Sequence, residues 1–459
     1  MTIRKYITAA ALAATLLATT SCDDFLNVEP EQSLNDDQVF SSLDAANAAI
    51  LGMYDRMQTL NYYGRDIIVI PDLMADNTLI TSANSGRYVD YYSYNVVAQT
   101  GTIRDLYTRA YQTIKAANNI LANIDNLEAS GAENEALRNS IKGEALFGRA
   151  LSHFNLVRLI GRPYTDGNGA NLGVPVVLGA EDEFNGRATV AEVYAQVIAD
   201  LEEAAPLMSY STPFRISDQA AYALLSRVYL YKGDNQQAID AANQVDGFDL
   251  LQGQAYVDSW AASGSSEEIF TLRFAADENR GADNLGDIFI PSGYGDIRPT
   301  NDLIDVYSAG DVRLGFIRPD DGDDYNFKFG GENAISGLSS PRVIRYAEVL
   351  LNRAEAQAKL GNLSAALADV NSIRSARGAD ALGSITVDEV LEERRRELAF
   401  EGHRLFDLTR NGLGVTRIEN TNLGGAPSVI DFNDPKIILP IPERERDANP
   451  GVLEQNPGY

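Results

Sequence analysis

The stretch DQAAYALLSRVYLYKGDNQQAIDAANQV, Asp218 to Val245, decides the fold. Ala221, Leu224, Leu225 and Val228 recur at i, i+3, i+4 and i+7, the spacing that lines up one face of an α-helix. Gly233-Asp234 breaks the pattern, and Ala238, Ala241, Ala242 and Val245 restart it. Two short amphipathic helices are therefore predicted to pack antiparallel across a tight turn. A second stretch follows the same plan, with Ala347, Leu350, Leu351, Ala354 and Ala358 before Gly361-Asn362, then Leu363, Ala366, Leu367 and Val370. In both, a small residue and its apolar neighbour (Ala238-Ile239, Ala366-Leu367) fall five and six positions after the turn glycine. Each pair leaves one apolar face uncovered and needs a neighbouring pair to bury it.

These units resemble tetratricopeptide repeats. Further helices are predicted over Gln38 to about Leu60, Ile103 to about Leu127, Leu137 to Ile160, Val190 to about Met208 and Val387 to about Asn411. Between them lie Asp76 to Thr100, Gly161 to Arg187, Gly247 to Pro341 and Gly412 to Tyr459, rich in Gly, Asn, Asp, Ser and aromatics. Insertions of that length are usually functional or disordered, and their aromatic content argues for order. The expected class is all-α: a tetratricopeptide-like helix-pair scaffold with long irregular loop insertions.

The chain opens MTIRKYITAA ALAATLLATT SC, with Arg4 and Lys5 ahead of an apolar stretch from Ile7 to about Ala18. This is the pattern of an export signal, too short and too rich in Ala and Thr for a membrane span. Cys22, the only cysteine, directly follows it and cannot form an intrachain disulfide. The segment resembles a lipoprotein signal peptide, with Ser21 suiting the position before the cut and Thr19 departing from the usual leucine. Cys22 is then the lipidated residue, and several acyl chains at about 0.8 kcal/mol per buried methylene hold a protein on a bilayer. Asp23 and Asp24 resemble the surface-export signal of Bacteroidota-type lipoproteins.

Cleavage leaves 459 − 21 = 438 residues, enough for a substantial core. A formal charge of −27 argues against nucleic acid, and against strongly anionic polysaccharides unless a local basic patch compensates.

Several blocks resemble the SusD/RagB family. They are CDDFLNVEP at Cys22 to Pro30, AANNILANID at Ala116 to Asp125, and GEALFGRALSHFNLVRLIGRPY at Gly143 to Tyr164. The most specific are RYAEVLLNRAEAQAKLG at Arg345 to Gly361, ERRRELAFEGHRLFDLTRNG at Glu393 to Gly412, and the closing ILPIPERERDANPGVLEQNPGY. The resemblance implies residues 1–21 as signal peptide, 22–36 as lipidated tether and 37–459 as a single SusD-like domain. That domain has a helical part over about 37–245, a loop-rich insert over about 247–341 and a C-terminal part over about 342–459. It also implies an outer-membrane location facing the cell exterior, and a role as lid on a SusC-type TonB-dependent transporter. The captured ligand is oligosaccharide, or peptide in the RagB branch.

Within the closing block, Glu393, Glu397, Glu401, Arg394 and Arg404 recur at spacings that permit ion pairs along a helix. Exposed pairs of this kind add a few tenths of a kcal/mol each, so the block is expected to be structural. Leu398, Phe400, Leu405, Phe406 and Leu408 would supply its apolar contacts.

No catalytic machinery is legible. There is no GxSxG elbow and no GxxxxGK[ST] loop, and the two histidines, His153 and His403, lack HExxH spacing. With 65 acidic residues, a carboxylate pair suited to glycoside hydrolysis cannot be singled out. DDGDDYNFKF at Asp320 to Phe329 offers carboxylates to a calcium ion, but its spacing fails the EF-hand pattern and a solvated acidic loop is expected. No cofactor is otherwise indicated.

Sugars present C–H faces that stack on aromatic rings and hydroxyls that pair with Asn, Asp, Gln and Arg. RYVDYYSYN at Arg87 to Asn95 gathers Tyr88, Tyr91, Tyr92 and Tyr94, and alternation in an extended segment would send Tyr92 and Tyr94 to one side. Trp260, the sole tryptophan, and Tyr294 in PSGYGD lie in another irregular region. Asp76, Asn77 and Arg87 are the expected polar partners. The preferred expectation is a non-enzymatic binder of neutral oligosaccharide, with a RagB-like peptide binder and a tetratricopeptide adaptor as alternatives. The adaptor would need an open groove.

Overall fold

The computed structural model describes residues 40–180 and 185–459. The export signal, Cys22 and the tether to Asp36 lie outside the described residues.

The two helix pairs form where the periodicity placed them: α6 (Asp218–Lys232) with α7 (Asn235–Ala242), and α8 (Tyr346–Lys359) with α9 (Leu363–Ala376). The others are α1 (Leu43–Gln58), α2 (Asp66–Met74), α3 (Gly101–Ile124), α4 (Ala132–Ile160), α5 (Val190–Ala204) and α10 (Val387–Glu397). α3 packs on α4, α4 on α5, α5 on α6 and α6 on α7. α7 then packs directly on α8, although the chain between them runs through the long insert. Leu230, Ala238, Ile239 and Ala356 form the small apolar seam at that joint, which is how one pair covers the other's free face.

Local chemistry sets the helix ends. The Ser217 hydroxyl accepts from the Ala220 N–H at 3.2 Å to open α6, and Thr386 with Glu389 makes a capping box at α10. Gly233 closes α6 at φ +90, where a side chain is strained. A Cβ at Gly233 would meet nothing within 4 Å. Gly233→Ala is therefore expected to cost only that strain, about 1–2 kcal/mol in a urea unfolding curve. A loss above about 3 kcal/mol would show that packing, not backbone handedness, governs the turn.

Three expectations need correction. The helix anticipated from Gln38 begins, among the described residues, at Leu43, capped by Ser42. The helix anticipated from Val387 to Asn411 is broken into α10 and a separate turn of helix at Arg404–Thr409. Between them Phe400 (φ 69) and Gly402 (φ 79) turn left-handed, and Gly402 lies so close to the backbone of Ile67 and Ile68 that a Cβ would sit 3.0 Å away. Asp76 to Thr100 is not an irregular loop: Thr78–Ile80 pairs antiparallel with Ile297–Pro299, and Val89–Tyr92 is a turn of helix.

The insert is ordered. Its neck is closed by Glu268–Thr271 pairing antiparallel with Arg342–Arg345. Its acidic run belongs to a two-stranded hairpin, Ile317–Asp320 with Asp323–Asn326, in which Asp323 pairs with Arg298 at 2.5 Å. Among the described residues no three His, Cys, Asp or Glu side chains converge there or elsewhere. No helix among the described residues is long and apolar enough to cross a membrane.

The Glu-Arg block also differs from expectation. Glu393, Arg394 and Glu397 are buried, Glu401 and Arg404 half-buried, and all five pair across the fold, not along one exposed helix. Glu397 receives Arg345 at 2.6 Å, Arg377 at 2.8 Å and Arg313 at 3.0 Å. Glu401 receives Lys328 at 2.5 Å and Arg345 at 2.7 Å. Arg394 reaches Asp407 at 3.1 Å, and Arg404 grips Asp76. These groups rivet the insert, the strand before α8 and the C-terminal helices together. The five apolar residues of the block are all buried, as expected.

Candidate functional site

The pairing of Thr78–Ile80 with Ile297–Pro299 fastens the tyrosine-rich turn beside PSGYGD, more than 200 residues away in sequence. The Arg87 guanidinium lies 3.7 Å from the centroid of the Tyr294 ring and donates to its hydroxyl at 2.6 Å. A second tie is made by Ser85, whose N–H donates to Asp296 at 2.9 Å and whose hydroxyl also bonds that carboxylate. Arg87 and Tyr294 are each half-buried, so both retain surface facing solvent.

Beneath Arg87 lies a cleft of about 210 Å³, walled by Asn61, Arg65, Asp66, Tyr88, Tyr91 and Thr102 among others. Its floor is a hydrogen-bonded set at the start of α2. Tyr88 donates to Asp66 and accepts from Arg65 Nε at 2.6 Å, while Asn61 donates to the other Asp66 oxygen at 3.1 Å. Arg65 also reaches Asp283 at 3.1 Å. Burial raises the Asp66 carboxyl above the ordinary range, resisted by Arg65 and by the Tyr88 and Asn61 hydrogen bonds. Both oxygens being occupied, Asp66 is committed to positioning Tyr88 and Arg65. Tyr88 has φ 58, a left-handed backbone costly for a bulky residue and tolerated where surroundings over-determine it. Tyr91 lies at the cleft wall beside Thr102.

The structure thus brings Arg87, Tyr88, Tyr91 and Tyr294 to one place. It takes the other anticipated residues elsewhere. Tyr92 is fully buried, its ring 4.4 Å beneath the Arg417 guanidinium and its hydroxyl donating to Asn420 at 2.9 Å. Tyr94 is buried under the same Arg417 and bonds the Met74 carbonyl. The pair does share a side, but through Arg417 and a helical turn, not through strand alternation. Trp260 is 6% exposed, caged by Phe316, Phe329, Arg342 and Lys328. Asp76 is held by Arg404 at 2.7 and 2.8 Å, and the Asn77 side chain accepts from Arg395 at 2.8 Å. All five are buried in this conformation, and Asp76 lines a separate cleft beside Leu408 and Asp431.

Asn61, Arg65, Asp66, Thr100 and Thr102 were not anticipated. The adjacent charged pair Arg65-Asp66 just before the apolar run IIVI was the available signal. The histidines are structural: His153 accepts from the Val177 N–H at 3.2 Å, and burial pushes it down to about 3. His403 is buried beside Glu348 and Arg227, and burial pushes it down to about 4.

Two family models match the chain. One, described as starch-binding associating with outer membrane, covers residues 24–230, and one described as the SusD family covers residues 330–459. A solved SusD superfamily protein from Bacteroides vulgatus is 32% identical, with 91% of this chain and 99% of that one covered at a TM-score of 0.84. Another, from Bacteroides thetaiotaomicron, is 31% identical over 91% of this chain and 100% of that one, with a TM-score of 0.83. SusD-like protein P2 of Formosa agariphila is 27% identical, covering 97% of this chain and 98% of that protein.

Proposed function

Because this chain belongs to the SusD/RagB family, we propose that it captures oligosaccharide at the bacterial surface and passes it to a SusC-type, TonB-dependent outer-membrane transporter. The reading is supported by a matching family model described as starch-binding and associating with the outer membrane. In this proposal Cys22 carries the lipid anchor, and the protein binds without catalysis.

The observation that carries it is the Arg87–Tyr294 stack, whose arginine also lines the polar cleft. A half-exposed aromatic ring offers a face to sugar C–H groups, and the neighbouring guanidinium, phenol, amide and threonine hydroxyls can pair with sugar hydroxyls. The cleft is smaller than the roughly 300–1,000 Å³ usual for drug-sized ligands, which suits one terminal unit with the rest of the glycan outside.

Affinity electrophoresis of the chain from Phe25 onward, through gels holding a panel of neutral and acidic polysaccharides, tests this. Retardation by at least one glycan is expected, with Arg87→Ala and Tyr294→Ala each weakening it about tenfold or more. Retardation unchanged in both variants would remove this cleft from the reading. No retardation by any glycan, with capture from a peptide library, would favour the RagB-like alternative.

A further inference from the structure

A second cleft, of about 410 Å³, lies between the turn that follows α4 and the C-terminal tail. Its walls are cross-linked by side chains that are already spent. Arg187 has no carboxylate partner among the described residues. It donates to three backbone carbonyls, Gly173 at 2.7 Å, Leu172 at 3.0 Å and Glu454 at 3.0 Å, and so ties the turn to the tail. Asn456 donates to the Ile160 and Leu439 carbonyls at 2.7 Å each. Gln455 and the Ile441 backbone exchange two hydrogen bonds at 2.8 Å. Rigid walls of this kind reduce the ordering cost that a weak ligand must overcome.

Other polar groups on the same walls are uncommitted. The exposed Asn433 amide makes no side-chain hydrogen bond among the described residues. Arg162 gives its Nε to Asp166 at 2.7 Å and lies 4.6 Å over the Phe432 ring, and its two terminal nitrogens make no hydrogen bond among the described residues. Pro435, Pro457 and Leu172 supply apolar surface between them. Arg162 and Arg187 balance Asp166 and Glu454 in formal charge, so the cleft favours neither an anion nor a cation. Amide and guanidinium edges flanking flat apolar surface, with no net charge, match a neutral polyhydroxylated ring.

We infer that this cleft is a second saccharide subsite, in which Arg162 and Asn433 hydrogen-bond the hydroxyls of a neutral sugar. The inference takes its ligand class from the proposed function but uses none of the residues of the first cleft. Two subsites on one chain raise the effective concentration for a polymer that reaches both, so long glycans gain over short ones without any new contact.

The test is saturation-transfer NMR on the chain from Phe25 onward with maltose, cellobiose, xylobiose and mannobiose at millimolar concentration. The Arg87→Ala/Tyr294→Ala double variant is expected to retain transfer to at least one of these disaccharides. Adding Asn433→Ala or Arg162→Ala should then abolish it. If wild type responds and the double variant is silent, the second subsite is overturned and the first cleft stands. Residual transfer untouched by both Asn433→Ala and Arg162→Ala also overturns it. A double variant that matches wild type, with transfer lost on Asn433→Ala and Arg162→Ala, supports the subsite and sinks the first cleft. No response of wild type to any of the four, with a polysaccharide still retarding it in the gel and that retardation weakened by Arg87→Ala and Tyr294→Ala, overturns the second subsite and leaves the first cleft standing.

Discussion

Glu397→Gln is expected to lower unfolding stability by about 3–5 kcal/mol and to push much of the protein into the insoluble fraction on expression. Glu397 is fully buried and receives three guanidiniums, those of Arg313, Arg345 and Arg377. Burial alone would raise its carboxyl, yet these three charges together hold it far below the usual carboxylate range. Substitution keeps the shape but removes the negative charge, and the glutamine NH₂ must face donors. Arg345 retains Glu401 at 2.7 Å and Arg377 retains Glu267 at 2.9 Å, so the cluster is weakened and not emptied. Removing one partner of a buried pair leaves uncompensated charge in a low-dielectric interior, a loss of about 3–5 kcal/mol. Urea unfolding of the two proteins measures it. A difference under about 1 kcal/mol would mean that water or backbone carbonyls compensate the arginines.

The second large effect is acid sensitivity. Burial would raise Glu348, but Arg227, at 2.5 and 2.6 Å, outweighs it and holds the carboxyl down to about 2. Glu355, Glu393, Glu397, Glu401, Asp407 and Asp76 are displaced in the same direction by their own cations. A group whose folded value lies below its unfolded one contributes stability above the unfolded value and loses it as pH falls through the folded one. For Glu348 the drop from 4.5 to about 2 is worth roughly 3 kcal/mol, all of it lost between about pH 4.5 and 2. Asp72 runs the other way. Burial pushes it up to about 7 despite hydrogen bonds from the Gly402 and Arg404 N–H groups, so its ionisation costs stability as pH rises from about 4 to 7. His153 and His403, pushed down to about 3 and about 4 by burial, add stability as pH rises towards about 6.5 and together outweigh Asp72 there, so stability is expected to fall steeply below pH 4 and to peak near pH 6. Urea midpoints across pH 3 to 8 check this, and equal midpoints at pH 3 and pH 6 would contradict it.

The helix pairs were legible because their signal is local. A period of 3.6 with a glycine break specifies α6–α7 and α8–α9 wherever they sit, and small alanines such as Ala238 and Ala366 mark the close approaches. The Glu-Arg block was legible only in part, because spacing along the chain reveals i, i+4 partners and nothing else. The partners Glu397 takes are 20, 52 and 84 residues away. The tyrosine turn shows the same boundary. Composition marked RYVDYYSYN as a place where rings gather, but Tyr88 and Tyr92 are the same residue type four positions apart. What separates them is Arg65 and Asp66 on one side and Arg417 on the other.

By itself, then, the amino-acid sequence determined the helical class, the repeat of the helix pair and the order of the blocks, since each depends on periodicity and turn chemistry within about 30 residues. The tertiary structure alone decided which rings remain available. A ring's exposure depends on what the strand pairing of Thr78–Ile80 with Ile297–Pro299 brings against it, and that pairing carries no local signature. It leaves Tyr294 half open beneath Arg87, while Trp260 and Tyr92 vanish under guanidiniums from distant segments.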